Sequence, residues 1–455
     1  MSCLPMPDLP PHPSVSASTR ATYSNSYLAY VVSVLFLMNV INYMDRSIIG
    51  VLVESIKADL KLSDTQIGLL SGVAFALIYA TAGLFIARVS DLHDRRIIMS
   101  GAVVIWSAMT AATGLVSSFW QFFLARMSVG IGESGAIPTA NAMLADYFAP
   151  HRRPLAIGIV TAGAFFGILA GSLLGGYVGE IHGWRAAFII AALPGFPLAA
   201  LIFFTVRDPP RGNSDGFARY EYTSMAASIL TLLGNRTYVL FVASGAMLTF
   251  LMFGLAGWFP AFLMRVHGLS QSASGLYFGL ALGLGTAGGM IGGGYISSIL
   301  AGRSLRWLTL MPVLLSLSLL PLFELAIFAP QASMALIFLS VASALCGASY
   351  GPVLAAMQTV ISPSMRATGA GLSGLVVSSV GLGIAPLIVG MLSDAFQGSL
   401  GSGPGLQRAL AFSALASLAA SICLYWADRS FKRGFMMAGK PGKCSKAEPL
   451  GLEEA

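Results

Sequence analysis

Four ionisable residues stand in stretches that are otherwise apolar. Asp45 and Arg46 are neighbours in NVINYMDRSIIGVL (39–52), and Arg126 and Glu133 lie in RMSVGIGESG (126–135). A carboxyl group taken out of water favours its neutral acid, and a nearby guanidinium favours the anion, so a change of surroundings can load or unload a proton. A guanidinium in the same setting is a clamp for a carboxylate or phosphate. Together these groups could exchange protons while holding an anion. The competing reading is a fixed ion cluster that only orients helices.

The elements that carry them must be helices crossing an apolar medium. A lone charge at a bilayer centre costs about 2.5–3.5 kcal/mol on insertion scales, so each of the four needs a partner or a wet cavity. Adjacent helical residues point about 100° apart, so Asp45 and Arg46 must reach different partners. Arg46 shares a face with Asn42 and Asn39, and Asp45 shares one with Asn42. Arg126 and Glu133 are seven residues apart, about 10 Å along one face. Glu133 is therefore a candidate partner for Arg46, with Arg126 expected closer to the cytoplasmic side.

Composition supports that setting. The chain has 455 residues, of which 56% are hydrophobic and only 10% charged, against about 25% charged in soluble domains. Its net charge of +7 comes without basic runs or aromatic-interleaved stripes, so no nucleic-acid partner is expected. Membrane lipids are the natural surroundings. Cys3, Cys346, Cys423 and Cys444 are scattered, which argues against a disulfide framework or metal site. No cofactor is implied.

Twelve windows are long and apolar enough to span a bilayer. They fall into two sets of six, giving an all-α membrane protein of two six-helix bundles. The reading divides the chain into a disordered cytoplasmic tail (1–26), an N-terminal bundle (27–206), a cytoplasmic linker (207–236), a C-terminal bundle (237–427) and a cytoplasmic tail (428–455). Within the linker, 222–233 is too short to span and suits an interfacial helix. Arginines and lysines concentrate in alternate loops and the C-terminal tail, which places both ends in the cytoplasm. Glycines recur every four residues at 163–175 and 275–283, a spacing that lets helix backbones approach closely. Pro138, Pro260, Pro352 and Pro386 mark expected kinks.

The loop ARVSDLHDRR (87–96) resembles the cytoplasmic signature of the major facilitator superfamily, with Asp91, Arg95 and Arg96 matching and Ala87 and Asp94 standing where glycines are usual. RMSVGIGESG and GWRAAF (183–188) resemble further superfamily patterns. NYMDR, GIGESG and HRRPLAIGI look like the spinster family of lipid-related transporters. The resemblance runs from Tyr27 to Ala427. It implies the superfamily fold and a monomer. It implies a charge latch in which Asp91, favoured near a helix N-terminus, pairs with arginines when the transporter faces outward. It also implies proton coupling at Asp45, Arg46 and Glu133.

Other polar or aromatic residues in apolar spans are candidates for a substrate cavity: Asn42, Tyr43, Tyr79, Ser134, Asn141, Trp258 and Gln358, with Phe250, Phe253 and Met357 as apolar wall. Packing is the alternative for each. No Walker-type phosphate loop and no H-E-x-x-H or G-x-S-x-G constellation occurs in the chain. An intramembrane enzyme and a non-transporting receptor are therefore the weaker classes. The expected function is a proton-coupled secondary transporter of a lipid-like amphiphile, such as a lysophospholipid or sphingoid phosphate, in a bacterial inner membrane. The alternative substrate is a small organic anion, such as a sugar acid, clamped by Arg46.

Overall fold

The computed structural model describes residues 23–149, 152–210, 225–304, 306–362 and 365–438. Among the described residues there is helix but no strand, as backbone groups in hydrocarbon must be satisfied within their own segment. Twelve helical crossings follow in order: α1 (Asn25–Leu60), α2 (64–92), α3 (Arg95–Thr113), α4 (Phe119–Tyr147), α5 (153–182), α6 (184–205), α7 (Arg236–His267), α8 (271–303), α9 (Trp307–Ile327), α10 (Ala332–Thr359), α11 (366–400) and α12 (402–438). Ten continuous helical runs meet the length and hydropathy needed to cross a membrane. The run 155–205 counts twice, because the chain turns back at Gly183 (φ 82°), a left-handed conformation that glycine tolerates. The twelfth is α4, which carries Arg126 and Glu133.

Side-chain caps start many of these helices. Ser24, Ser118, Asn235 and Ser270 accept from first-turn amides of α1, α4, α7 and α8. Ser63 and Gln66 form a reciprocal capping box on α2, satisfying donors that would otherwise be stranded at the membrane boundary. π-helical turns interrupt α2 at Leu69–Val73, α8 at Leu280–Leu284 and α11 at Ser379–Ile384. Such turns re-aim the residues beyond them and recur at functional sites.

We call the end carrying residues 23 and 438 proximal and the opposite end distal. The two halves meet through α1 on α7, α2 on α11 and α5 on α8. Their polar contacts cluster at the distal end. Arg265 reaches Asp64 at 2.7 Å and Glu54 at 2.7 Å. Asp394 accepts from the Asp64 and Thr65 amides at 3.1 and 2.8 Å. Ser55 bonds to Gln271 at 2.5 Å, and Glu180 accepts from the Ser272 amide at 2.6 Å. The backbones touch there as well. A Cβ on Gly72 would overlap the Gly383 carbonyl, and one on Gly275 would overlap the Ser172 carbonyl. Further toward the proximal end, a Cβ on Gly158 of α5, Gly288 of α8 or Gly371 of α11 would meet nothing. The halves are thus joined at the distal end by both side-chain and backbone contacts.

One boundary expectation changes. Residue 428 was assigned to the C-terminal tail, but α12 runs on to Ala438, and Asp428 is buried, accepting from Thr309 at 2.6 Å. In the linker, residues 225–234 form a helix whose Ser228 and Leu232 are buried while Leu230 and Leu233 are exposed. The expected N-terminal tail lies outside the described residues as far as residue 22, and so do 211–224 and 439–455.

Candidate functional site

The four buried ionisable residues form two pairs between α1 and α4. Arg46 Nε donates to Glu133 Oε2 at 2.6 Å. Arg126 Nη1 lies 3.5 Å from Asp45 Oδ1, close enough for charge attraction but too long for a strong hydrogen bond. Thr110 of α3 supplies a hydrogen bond, donating to Asp45 Oδ2 at 2.7 Å. Asp45, Arg126 and Glu133 are each at most 2% exposed. The adjacent pair on α1 is thus divided: the acid faces α3 and Arg126, and the base faces Glu133. Because α4 enters from the distal end, Arg126 lies distal to Glu133, the reverse of the expected placement. The error was one of direction, since even-numbered crossings run from the distal end back toward the termini.

Around Arg46 stand three rings. Its guanidinium carbon is 5.1 Å from the Tyr43 centroid, 4.7 Å from Phe75 and 4.9 Å from Tyr79. Phe75 also lies 5.7 Å from Arg126, so one ring separates the two cations. Aromatic faces stabilise a cation without neutralising it, worth ~0.5–2 kcal/mol each where water is scarce.

A central cavity of about 60 Å³ adjoins this cage. Its N-terminal wall includes Tyr43, Arg46, Ser47, Ser71, Phe75 and Arg126. Its C-terminal wall is apolar, formed by Met252, Phe253, Phe278, Leu282, Leu382 and Pro386 among others. Asp45 and Glu133 are absent from the wall; each carboxylate sits behind the arginine it attracts. At this volume the space holds only a few waters, each needing ~10–15 Å³. Any larger solute must displace side chains. The π turns of α2, α8 and α11 deliver Ser71, Leu282 and Leu382 to the wall.

Several sequence candidates fall elsewhere. Trp258 is fully buried and donates to the Pro386 carbonyl at 2.9 Å, placing it in the packing between α7 and α11 within the C-terminal half. Ser134 is buried and bonds back to the Ile131 carbonyl at 2.8 Å. Asn42 is fully buried with both amide atoms unpartnered, off the cavity wall. Asn141 is exposed on the proximal half of α4, and Gln358 is half-buried near the proximal end of α10. Phe250 and Met357 belong to the packed core. Side-chain polarity could not separate these residues, because a satisfied packing role and a cavity role use the same residue types. Conversely, Phe75 and Thr110 had no distinguishing signal in an apolar helix.

At the proximal end, Arg95 is buried and held by Asp146 at 2.8 Å and Asp208 at 2.9 Å. Arg96 pairs with Asp94 at 2.7 Å. The expected partner Asp91 has a side chain outside the described set. In this conformation, then, both arginines of the expected latch are engaged by other carboxylates, Asp146, Asp208 and Asp94, none of them from the C-terminal half.

The comparisons with known proteins agree with this architecture. The Major Facilitator Superfamily profile matches residues 35–386. The chain is similar to an MFS-type efflux pump of Mycolicibacterium smegmatis, 35% identical over 88% of this chain and 93% of that protein. It is also similar to a hexuronate transporter of Bacillus subtilis, 29% identical over 61% of this chain and 66% of that one. Among solved structures it is similar to a bacterial homolog of the human lysosomal transporter spinster, crystallised inward-facing and unoccupied. That match has a TM-score of 0.81 and 30% identity, covering 90% of this chain and 99% of that chain.

Proposed function

This chain belongs to the Major Facilitator Superfamily and resembles its spinster branch, and from that premise we propose that it is a proton-coupled transporter of an amphiphilic anion of the lysophospholipid or sphingoid phosphate type. The observation that carries the reading is the two-sided cavity. Arg46 and Arg126 face an anion from one wall, and apolar side chains of α7, α8 and α11 face a hydrocarbon portion from the other. The proximal end is the cytoplasmic one, since basic residues crowd the loops and tail at that end. The membrane is the bacterial inner membrane, and the protein works as a monomer.

Coupling follows from the order of the charges. An anion that draws Arg46 into the cavity takes it from Glu133. A buried carboxylate that loses its cation favours the protonated form. The anion and the Glu133 carboxylate thus compete for the same guanidinium, so anion capture promotes proton uptake by Glu133, and the anion and Asp45 compete for Arg126 in the same way. The distal seam opens and the proximal ends close in the other half of the cycle, with Asp91, Arg95 and Arg96 forming the cytoplasmic latch there.

A small organic anion is the second reading. The hexuronate transporter among the relatives and the limited cavity volume favour it. Purified protein in liposomes tests both: uptake of a labelled lysophospholipid and of glucarate is measured with and without an imposed proton gradient. Gradient-dependent movement of the lysophospholipid alone supports the first reading, and movement of glucarate alone supports the second. Movement of neither, with intact folding, removes both substrate classes.

A further inference from the structure

We infer that Thr110 is a positioning residue that lets Asp45 exist in both protonation states without a stranded polar atom; the inference rests on the proton-coupled reading above. Thr110 is 1% exposed and Asp45 is 2% exposed, so bulk water does not serve either group. Among the described residues the Thr110 hydroxyl is the single hydrogen-bond partner of Asp45. The other carboxylate oxygen, Oδ1, and the Arg126 Nη1 that faces it both lack one.

The charged groups around Asp45 are few. α4 contributes Arg126 at 3.5 Å and, further along, Glu133. α1 itself contributes Arg46, which is turned toward Glu133. α5 approaches this part of α1 with Gly167 and Gly171, and α7 approaches further along at Gly50. α3 brings no charge, only the threonine.

A hydroxyl is both donor and acceptor. With Asp45 ionised, Thr110 donates to the carboxylate, as observed at 2.7 Å. When Asp45 takes a proton on that oxygen, its new O–H needs an acceptor. The Thr110 oxygen can accept it if the hydroxyl proton turns to the carbonyl four residues back in α3, a bond that helical threonines commonly make. One rotation about the threonine C–O bond thus answers one protonation. Valine has the same shape but supports neither state, and serine supports both.

The test reads the pH dependence of the conformational equilibrium, so it needs no substrate. Spin labels are placed at Gly158→Cys and Gly288→Cys, two positions with open space beside them, in a background with the native cysteines replaced by serine. The distance distribution is followed across a pH titration. Hydrogen bonds to an ionised group are roughly twice as strong as neutral ones. Thr110→Val therefore disfavours the carboxylate more than the acid, and its titration midpoint should move alkaline by about one pH unit. Thr110→Ser should titrate like the parent. In an Asp45→Asn background Thr110→Val should produce no further shift, the signature of a shared pathway. If the valine variant does not purify as a folded monomer, Thr110→Ala removes the same hydroxyl and carries the same expectation. A Thr110→Val or Thr110→Ala curve superimposed on a titrating parent overturns the inference. A parent that does not titrate at all overturns the proton-coupled reading instead.

Discussion

Removing Arg265 should open the distal seam. Its guanidinium makes a two-point contact with Asp64, at 2.7 and 2.8 Å, and reaches Glu54 at 2.7 Å. The Asp64 side chain is fully buried and that of Arg265 only 5% exposed, so the pair is desolvated. Deleting one partner of a buried pair costs about 3–5 kcal/mol, chiefly because the other charge is left uncompensated. Here the loss is partial: Lys57 still contacts Asp64 at 2.5 Å and Ser393 donates to it at 2.6 Å. About 2–3 kcal/mol is then the remainder, or roughly a 30- to 160-fold shift in a two-state equilibrium. The penalty falls on the sealed state alone, because an open seam returns Asp64 to water. Arg265→Ala should therefore raise the population with separated distal ends, read as a longer distance between spin labels on α2 and α8. Arg185→Ala is the control. Arg185 also meets an aspartate at this end, Asp59, but within one half and with both side chains more than 40% exposed; solvent screens such a pair, and it contributes little. Equal distance distributions for Arg265→Ala and Arg185→Ala would refute the claim that this ion cluster holds the seam.

Other consequences follow from separate contacts. Gly275→Ala should also favour the distally open state, since its Cβ would overlap the Ser172 backbone at a typical overpacking cost of ~1–3 kcal/mol, whereas Gly288→Ala, with nothing nearby, should leave the same label distances unchanged. Arg46→Lys should lower transport in liposomes at least about tenfold despite keeping the charge, because an ammonium lacks the flat fork that can stack within the Tyr43, Phe75 and Tyr79 rings while binding two oxygens of an anion; near-parental rates would show that charge alone suffices. Asp94 caps α3 by accepting from the Arg96 amide at 2.9 Å. The Arg96 side chain, bonded to the same carboxylate, holds Asp94 below the usual carboxylate range. A depressed acid contributes stability above its unfolded value of about 3.9 and loses it as pH falls through the lower folded value. Asp94→Ala should lower stability at neutral pH by the ~0.5–2 kcal/mol of a lost cap, read as a lower melting temperature, and that difference should shrink in the acid range; a gap that widens on acidification would contradict this.

The twelve crossings were legible because hydropathy and length report directly on a bilayer, and the division into halves was legible because the linker is the longest internal polar stretch. The charged heart of the site was legible for a related reason: Asp45, Arg46, Arg126 and Glu133 violate the apolar pattern so plainly that each demands a partner. What the sequence could not convey was direction and depth. Arg126 was placed toward the wrong end because spacing along a helix carries no sign until the crossing is oriented. Trp258 and Ser134 looked like cavity residues, yet their polar atoms find backbone carbonyls at Pro386 and Ile131. The three π turns were also invisible, since they come from backbone register, with no residue type that marks them.

Under the proton-coupled proposal, the distribution of charge between the halves would let so dry a site respond to an ion. Both buried acids belong to the N-terminal half and lie behind arginines, while the facing C-terminal wall offers no ionisable side chain. If acids and bases came from opposite halves, every swing of the bundles would have to break a desolvated ion pair, at several kcal/mol each. Keeping them within α1, α3 and α4 would confine the proposed exchange to side-chain movements inside one half. The inter-half ion pairs lie instead at the distal rim, where opening restores them to water. On this reasoning the central pairs set which ligand or proton is held, and the rim sets which side is open. Substitutions at Asp45 or Glu133 should therefore alter pH response more than the resting distribution of conformers, and substitutions at Asp64 or Arg265 should do the reverse.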